Sequence, residues 1–154
     1  MIKRFHFDSP TEIYRADAAV VWCFDDRMTL AVQKFLKRMG VRHADSVRIA
    51  GGAMSLASPK NDSDRMFVLE QLRLSRSLHG TDRVMLIAHR DCGTYGGSAR
   101  FNGDAEAETR HHRAELKRAA QTIQATLPEV GIACYYADFD GVWEIEAARS
   151  SSAD

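Results

Sequence analysis

The sequence has few cysteines, no excess of charge of either sign and no long hydrophobic run. Its 154 residues include 3 cysteines, an odd number at scattered positions, which excludes the paired disulfide framework of a small secreted domain. Lys and Arg number 21, as do Asp and Glu, so the formal net charge is zero. A protein that binds nucleic acid or an anionic membrane electrostatically carries a basic excess, so we expect neither partner.

The longest uninterrupted apolar run spans residues 18–24, far short of the roughly 20 residues needed to cross a bilayer. Residues 1–10 lack the apolar core of a secretory signal peptide. Together with the odd number of cysteines, these absences predict a cytoplasmic protein that neither spans nor enters a membrane.

Apolar residues are nevertheless plentiful, and their periodicity predicts alternating strands and helices. A chain of 154 residues that is 45% hydrophobic has the size and composition of one globular domain. The run at 18–24 is rich in β-branched and aromatic side chains, as in a strand buried on both faces of a parallel sheet. Residues 28–39 then carry apolar side chains at helical spacing, and Gly40 follows as a C-terminal cap.

The same alternation continues through the middle of the chain. Short apolar runs predict strands at 46–50 and 83–89, separated by a loop at 51–60 and a helix at 64–79. A long helix is predicted at 105–127, and its buried stripe is expected to contain Leu116, Ala119, Ala120, Ile123 and Leu127. Strands that alternate with helices indicate an α/β fold, in which helices flank a mostly parallel central β-sheet.

The last part of the chain has a different pattern. Residues 132–139 and 142–147 are two strand-like runs on either side of Asp140-Gly141, a dipeptide preferred in tight hairpins. We therefore expect an antiparallel hairpin at the C-terminal edge of the sheet. Residues 1–154 are predicted to form a single domain, with an N-terminal arm at 1–17 and a frayed tail at 150–154.

Metal-binding side chains follow two of the predicted strands. Cys23 stands at the end of the first strand and His89 at the end of the third, with Cys92 three residues later. The carboxyl ends of parallel strands meet at one edge of the sheet, which is where ligands bind in such folds. Thiolates and imidazole suit zinc, and three of them leave a fourth tetrahedral position open. Gly93 would permit the turn that lets His89 and Cys92 reach one ion.

Each of these side chains also has an ordinary interpretation when it is considered alone. Cys23 would be a small buried side chain at a strand end, Cys92 a loop cysteine and His89 a hydrogen-bonded core histidine. Their joint placement at the ends of neighbouring strands favours the metal site.

Two motifs at these strand ends resemble those of a known family. Cys23, Asp25 and Arg27 form Cys-x-Asp-x-Arg, and residues 89–93 form His-x-x-Cys-Gly further along the chain. Between them, residues 48–51 read Arg-x-Ala-Gly. In order and spacing, these motifs resemble the β-class carbonic anhydrases, and the resemblance covers residues 18–97.

The resemblance implies a metal, a reaction and a role for each motif residue. By position, Cys23, His89 and Cys92 would bind zinc, and the protein would hydrate CO2 reversibly to bicarbonate and a proton. Zinc lowers the pKa of its bound water toward about 7, and the resulting hydroxide attacks CO2. Asp25 would accept a hydrogen bond from that hydroxide, while Arg27 would hold the carboxylate as a bidentate partner. In related proteins the aspartate can also close onto zinc, so two roles stay open for Asp25.

The resemblance also implies a homodimer or higher homo-oligomer, because the family's active cleft is commonly shared between two subunits. The small-molecule partner would be CO2 or bicarbonate. Two alternatives keep the same fold and zinc site: action on another small electrophile, such as carbonyl sulfide or carbon disulfide, and zinc binding without turnover.

Three glycines are weaker candidates for the substrate pocket. Gly51 and Gly52 either let the backbone approach the metal closely or form a tight turn between a strand and a helix. Gly93 follows the second cysteine of the motif and is the third pocket candidate.

Four other residues are predicted to lie outside the metal site. Asp26 is expected at the first turn of a helix, and Cys134 in the core. His111 and His112 are adjacent, which makes a poor chelate, and are predicted on an exposed helix face. Residues 94–113 match no part of the family pattern and form either an ordered lid or a mobile loop.

Overall fold

The computed structural model describes residues 1–146, in which strands and helices alternate as expected. The predicted tail at 150–154 lies outside the described residues. The elements within them are β1 (Ala18–Cys23), α1 (Thr29–Arg38), β2 (Ala44–Ile49), α2 (Met54–Ala57), α3 (Asp62–His79), β3 (Arg83–His89), α4 (Ala105–Thr126), β4 (Gly131–Ala137) and β5 (Val142–Ile145).

The strands form one five-stranded sheet in the order β2-β1-β3-β4-β5. The first four strands are parallel and β5 pairs antiparallel with β4, which confirms the predicted fold class and edge hairpin. After β1 the chain crosses to β2 on one side and then returns to β3 on the other. The strand order therefore reverses between β1 and β3, and ligands bind outside the carboxyl ends of strands at such a point.

Both faces of the sheet are covered by helices, which is why the central strands β1 and β3 are apolar along nearly their whole length. On one face, strand residues such as Val20 and Trp22 pack with residues of α1. On the other face, residues such as Val21 pack with α2, α3 and α4. All six residues of β1 are buried, as the uninterrupted apolar run predicts.

Several boundaries differ from the sequence prediction. The predicted loop at 51–60 contains the short helix α2, whose Leu56 is fully buried and accepts a hydrogen bond at its carbonyl from Thr122 of α4 at 3.1 Å. Helix α3 begins two residues earlier than predicted, because Asn61 caps it by accepting from the backbone N–H of Asp64 at 3.0 Å.

Helix α4 is the longest element and buries the stripe that its periodicity predicts. The stripe residues are all buried: Leu116, Ala119, Ala120, Ile123 and Leu127, the last of which caps the helix. Within residues 1–146, no helix combines the length and the apolar character that crossing a membrane would require.

Candidate metal centre

Cys23, His89 and Cys92 come together at the carboxyl ends of β1 and β3. The three residues are 5%, 3% and 2% exposed, and one potential ligand atom from each lies within 4.8 Å of the others. The Sγ atoms of Cys23 and Cys92 are 3.9 Å apart. The predicted clustering of these side chains is therefore present in the structure.

The turn after β3 brings Cys92 back toward His89. Asp91 adopts a left-handed conformation with φ of 55°, which an aspartate tolerates better than most residues. The carbonyl of Cys92 then accepts hydrogen bonds from the backbone N–H groups of Tyr95 and Gly97, each at 3.0 Å. The turn was predicted at Gly93, but its positive φ is at Asp91, so the prediction named the wrong residue for it.

Hydrogen bonding fixes the orientation of the His89 ring. Its Nδ1 donates to the carbonyl oxygen of Arg90 at 2.8 Å, because a carbonyl can only accept. The other ring nitrogen, Nε2, is buried and has no hydrogen-bond partner in the described part of the chain. A histidine whose Nδ1–H is engaged in this way presents Nε2 as a metal ligand.

The two thiols ionise unequally because they are so close. A hydrogen bond from Cys92 lowers the pKa of the Cys23 thiol to about 4. The same hydrogen bond raises the pKa of Cys92, and burial and the negative charge on Cys23 raise it further. A cation between the thiols would allow both of them to ionise, since it stabilises both thiolates.

The chemistry of this donor set fits a zinc ion. Two thiolates and one imidazole are ligands that zinc accepts, and a three-ligand site keeps a fourth tetrahedral position available for chemistry. The buried Nε2 of His89, which has no hydrogen-bond partner among residues 1–146, supports this fit, since leaving it without a partner carries a free-energy cost that a metal ion would relieve.

Asp25 and Arg27 form a tight ion pair directly after β1. The Nη2 and Nε atoms of Arg27 donate to Oδ2 of Asp25 at 2.6 and 3.2 Å, and Nε also lies 3.0 Å from Oδ1. These hydrogen bonds lower the pKa of Asp25 to about 2. Among residues 1–146, the cluster of potential ligand atoms within 4.8 Å does not include the Asp25 carboxylate.

A surface cavity borders the cluster at Cys23. It is lined by Cys23, Phe24, Asp25, Asp26, Gly93 and Thr94. Gly93 leaves the opening clear, since a Cβ atom there would meet nothing within 4 Å. Asp26 lies in the first turn of the helical segment after β1 and accepts a hydrogen bond from Thr29 at 2.9 Å, so its predicted helix-terminal position is confirmed.

Gly51 and Gly52 form the turn after β2, both at positive φ. A Cβ atom at Gly52 would lie 3.0 to 3.1 Å from backbone atoms of Trp22 and Cys23. A glycine is therefore required at residue 52 for β1 and the turn to pack against each other. Cys134 is 1% exposed on β4, as predicted for a core thiol.

Sequence reasoning missed three buried polar residues on α4. Glu108, His112 and Glu115 are each at most 1% exposed, so the predicted exposed position of His112 is wrong. Burial lowers the pKa of His112 to about 4, and the ring is neutral at pH 7. The three residues continue the spacing of the apolar stripe toward the helix N-terminus, and that signal could have placed them on the buried face.

These buried residues hold the segment between β3 and α4 in place. Tyr95 donates from its hydroxyl to Glu115 at 3.0 Å, and Ser98 donates from its hydroxyl to Glu108 at 2.6 Å. Tyr95 is itself 4% exposed. The segment that precedes α4 contains two short 3₁₀ helices, Gly93–Tyr95 and Ser98–Phe101, and residues 105–113 belong to the start of α4.

The sequence and the fold both match known proteins. A family model described as "Putative carbonic anhydrase" matches residues 15–149. An uncharacterized protein of Rickettsia conorii is 26% identical over 133 residues, which cover 84% of this chain and 71% of that protein.

Among solved structures, a carbonic anhydrase from Glaciozyma antarctica is 22% identical, with a TM-score of 0.59, and the match covers 88% of this chain and 85% of that one. A β-carbonic anhydrase from Trichomonas vaginalis is 14% identical, with a TM-score of 0.60 and coverage of 92% and 88%. At these identities the solved structures establish the fold, while the family model spans most of the sequence. The chain therefore belongs to the carbonic anhydrase family and has the fold of the β-class.

Proposed function

We propose that this protein hydrates CO2 reversibly to bicarbonate and a proton, with zinc held by Cys23, His89 and Cys92. The observation that carries the proposal is the buried cluster of two thiols and one imidazole nitrogen within 4.8 Å of one another, the nitrogen having no hydrogen-bond partner among the described residues. It lies at the point where the strand order reverses, which is where a ligand site is expected in this fold. Zinc at this cluster would lower the pKa of a coordinated water toward about 7 and so supply a nucleophile at neutral pH.

Asp25 is proposed as the residue that orients the nucleophile. A carboxylate whose pKa is about 2 is ionised at neutral pH, and an ionised carboxylate only accepts hydrogen bonds. It can therefore accept a hydrogen bond from the attacking water or hydroxide at the reacting position, which orients the lone pair of that nucleophile.

Arg27 is proposed to keep the Asp25 carboxylate out of the metal's coordination sphere. A guanidinium that binds both carboxylate oxygens competes with a metal for the same lone pairs. With Arg27 in this position, the fourth coordination position stays available, as turnover requires. In the alternative role of Asp25, its carboxylate binds zinc as a fourth ligand, which requires that the ion pair with Arg27 be broken.

The pocket for CO2 is proposed at the cavity that borders the cluster at Cys23. Gly93 borders it without a side chain, and Gly51 begins the turn after β2, which packs against the backbone at the end of β1. Gly52 completes the turn that brings this backbone close. Together the three glycines would leave room for a small linear substrate beside the metal.

Metal analysis and a CO2 hydration assay test this function together. The protein is expressed with added zinc, its zinc content is measured, and hydration is followed by stopped flow from pH 7 to 9. One zinc per chain with turnover is the expected result. One zinc per chain without hydration would overturn the proposed reaction; carbonyl sulfide and carbon disulfide would then be assayed to distinguish another substrate from a zinc site without turnover.

We also propose that the protein forms a homodimer or larger homo-oligomer in the cytoplasm. Phe24 and Phe139 are 60% and 63% exposed, and Phe139 lies beside the site with its ring centroid 5.6 Å from the Arg27 guanidinium carbon. Exposed aromatic side chains next to a site favour burial against another subunit. The three cysteines are all free, which fits a reducing compartment. Sedimentation velocity tests the assembly, and a monomer at all concentrations would contradict it.

A further inference from the structure

Arg27 is held between two carboxylates rather than paired with one. Besides its contacts to Asp25, its Nη1 donates to Oδ2 of Asp91 at 2.9 Å, and its Nη2 donates to the Asp91 carbonyl at 3.0 Å. Asp91 stands 64 residues away in sequence, in the turn between His89 and Cys92. The guanidinium therefore joins the loop after β1 to the loop after β3.

Asp91 is itself fixed by other contacts. Its Oδ1 accepts from the Ser98 backbone N–H at 2.9 Å, and its own N–H donates to Oε1 of Glu108 at 2.6 Å. Glu108 is 1% exposed, and its second oxygen is bound by the Ser98 hydroxyl. Gly97 leaves room for the carboxylate, because a Cβ atom there would lie 2.8 Å from Asp91 Oδ1.

We propose that Asp91 is a positioning residue for the Asp25–Arg27 pair, anchored through its backbone by the buried Glu108. This inference rests on the proposed function of Asp25 and Arg27. Arg27 lies only two residues from Asp25, so the hydrogen bonds between them do not fix the position of the pair relative to the rest of the site. The second attachment, to the loop that carries His89 and Cys92, sets where the Asp25 carboxylate stands relative to the metal ligands.

An ordinary surface ion pair would not fix the position of the Asp25 carboxylate, since exposed pairs contribute little to stability. The side chains of Arg27 and Asp91 are indeed 47% and 40% exposed. However, Arg27 binds both the carboxylate and the carbonyl of Asp91, and the anchor of Asp91 is a fully buried carboxylate. Fixed geometry on both sides distinguishes a positioning contact from a mobile one.

The variant Asp91→Asn separates positioning from support of the loop. Asparagine tolerates the positive φ at this residue, and its side-chain oxygen can still accept from the Ser98 N–H. Its amide NH2 group then faces Arg27 as a donor and cannot bind it. The matched control is Asp82→Asn, which breaks an exposed pair with Arg15 outside the site.

The readouts are zinc affinity, kcat and the crystal structure of the zinc-loaded variant. We expect zinc affinity equal to wild type, kcat lower by about 10-fold, and Arg27 and Asp25 displaced from their wild-type positions. In an Arg27→Ala background, Asp91→Asn should cause no further loss, because Asp91 acts through Arg27. Asp82→Asn should leave all three readouts unchanged.

The inference is overturned if Arg27 and Asp25 keep their positions in the Asp91→Asn crystal structure. It is also overturned if zinc affinity falls as much as kcat, since that result assigns Asp91 to loop support alone. If the wild type binds zinc without hydrating CO2, the proposed function fails, and the crystal structures still decide the positioning role. Should Asp91→Asn not fold, Asp91→Gly keeps the positive φ without strain and is tested in the same way.

Discussion

The Sγ atoms of Cys23 and Cys92 lie 3.9 Å apart although 69 residues separate them in sequence. Neighbouring parallel strands produce this contact, because β1 ends at Cys23 and β3 ends three residues before Cys92. Two thiols this close, with a histidine nitrogen beside them, make the strongest structural argument for a metal in this protein.

The first prediction concerns metal binding by this pair. Cys92→Ser should abolish stoichiometric zinc binding, since a hydroxyl is a much poorer zinc ligand than a thiolate. The increase in melting temperature that zinc gives the wild type should disappear with it, because a ligand stabilises only the state that binds it. Metal analysis and thermal melts with and without a chelator measure both effects.

The control is Cys134→Ala, which removes a buried thiol on β4 that is not part of the cluster. It should lower stability while keeping one zinc per chain. Equal zinc content in Cys92→Ser and in the wild type would contradict the proposed ligand set.

The second prediction separates zinc binding from turnover at Asp25. Asp25→Asn should keep one zinc per chain and lower kcat by about 10 to 100-fold, because an amide offers one acceptor oxygen where the carboxylate offers two. Zinc content and stopped-flow hydration are measured on the same sample. Glu70→Gln, an exposed carboxylate paired with Arg73 on α3, serves as the control. A wild-type kcat in Asp25→Asn would refute the orienting role.

The third prediction concerns a partly buried carboxylate at the amino end of β2, away from the candidate metal centre. Asp45 accepts hydrogen bonds from Ser75 at 2.6 Å, Tyr14 at 2.8 Å and His79 at 2.9 Å. Although burial opposes it, these bonds hold the pKa of Asp45 below its ordinary value of 3.8. Its contribution to stability is therefore present above pH 4 and is lost as the pH falls through the lowered pKa.

Asp45→Asn should lower the free energy of unfolding by about 1–3 kcal/mol at pH 7, and the difference from wild type should narrow below about pH 4. Urea unfolding at pH 7 and pH 3 measures both values. Asp82→Asn, which breaks an exposed ion pair, should change stability by less than about 1 kcal/mol. An equal loss of unfolding free energy at both pH values would show that the ionised form of Asp45 is not what stabilises the fold.

The fourth prediction concerns the turn after β2. Gly52→Ala places a Cβ atom 3.0 Å from the backbone of Trp22 in addition to straining a φ of 52°. The matched control is Gly40→Ala, which has a φ of 79° and open space around the new Cβ atom.

Gly40→Ala should cost about 1–2 kcal/mol of unfolding free energy from backbone strain alone. Gly52→Ala should cost more than that, since it adds a clash with a buried strand that cannot move away. Equal losses in the two variants, measured by urea unfolding without zinc, would show that the close approach to β1 has no energetic consequence.

The sequence determined most of the fold because the sheet is buried on both faces. Uninterrupted apolar runs such as β1 and β3 can only be accommodated between two layers of helices, and the run at 83–89 coincides with the observed strand. The sequence did not predict the boundaries of β2 and α3 or the existence of α2. They depend on pairing with β1, on a capping side chain and on packing against α4, none of which is a local periodicity.

The candidate ligands were also visible in the sequence, since each follows a predicted strand and the carboxyl ends of parallel strands share one edge. Tertiary structure alone decided what surrounds them. Asp91 reaches Arg27 across 64 residues, and Glu108 is bound by the Asp91 N–H and the Ser98 hydroxyl. A linear pattern specifies which face of an element is apolar, whereas the partners of a polar side chain are set by how separate elements pack together.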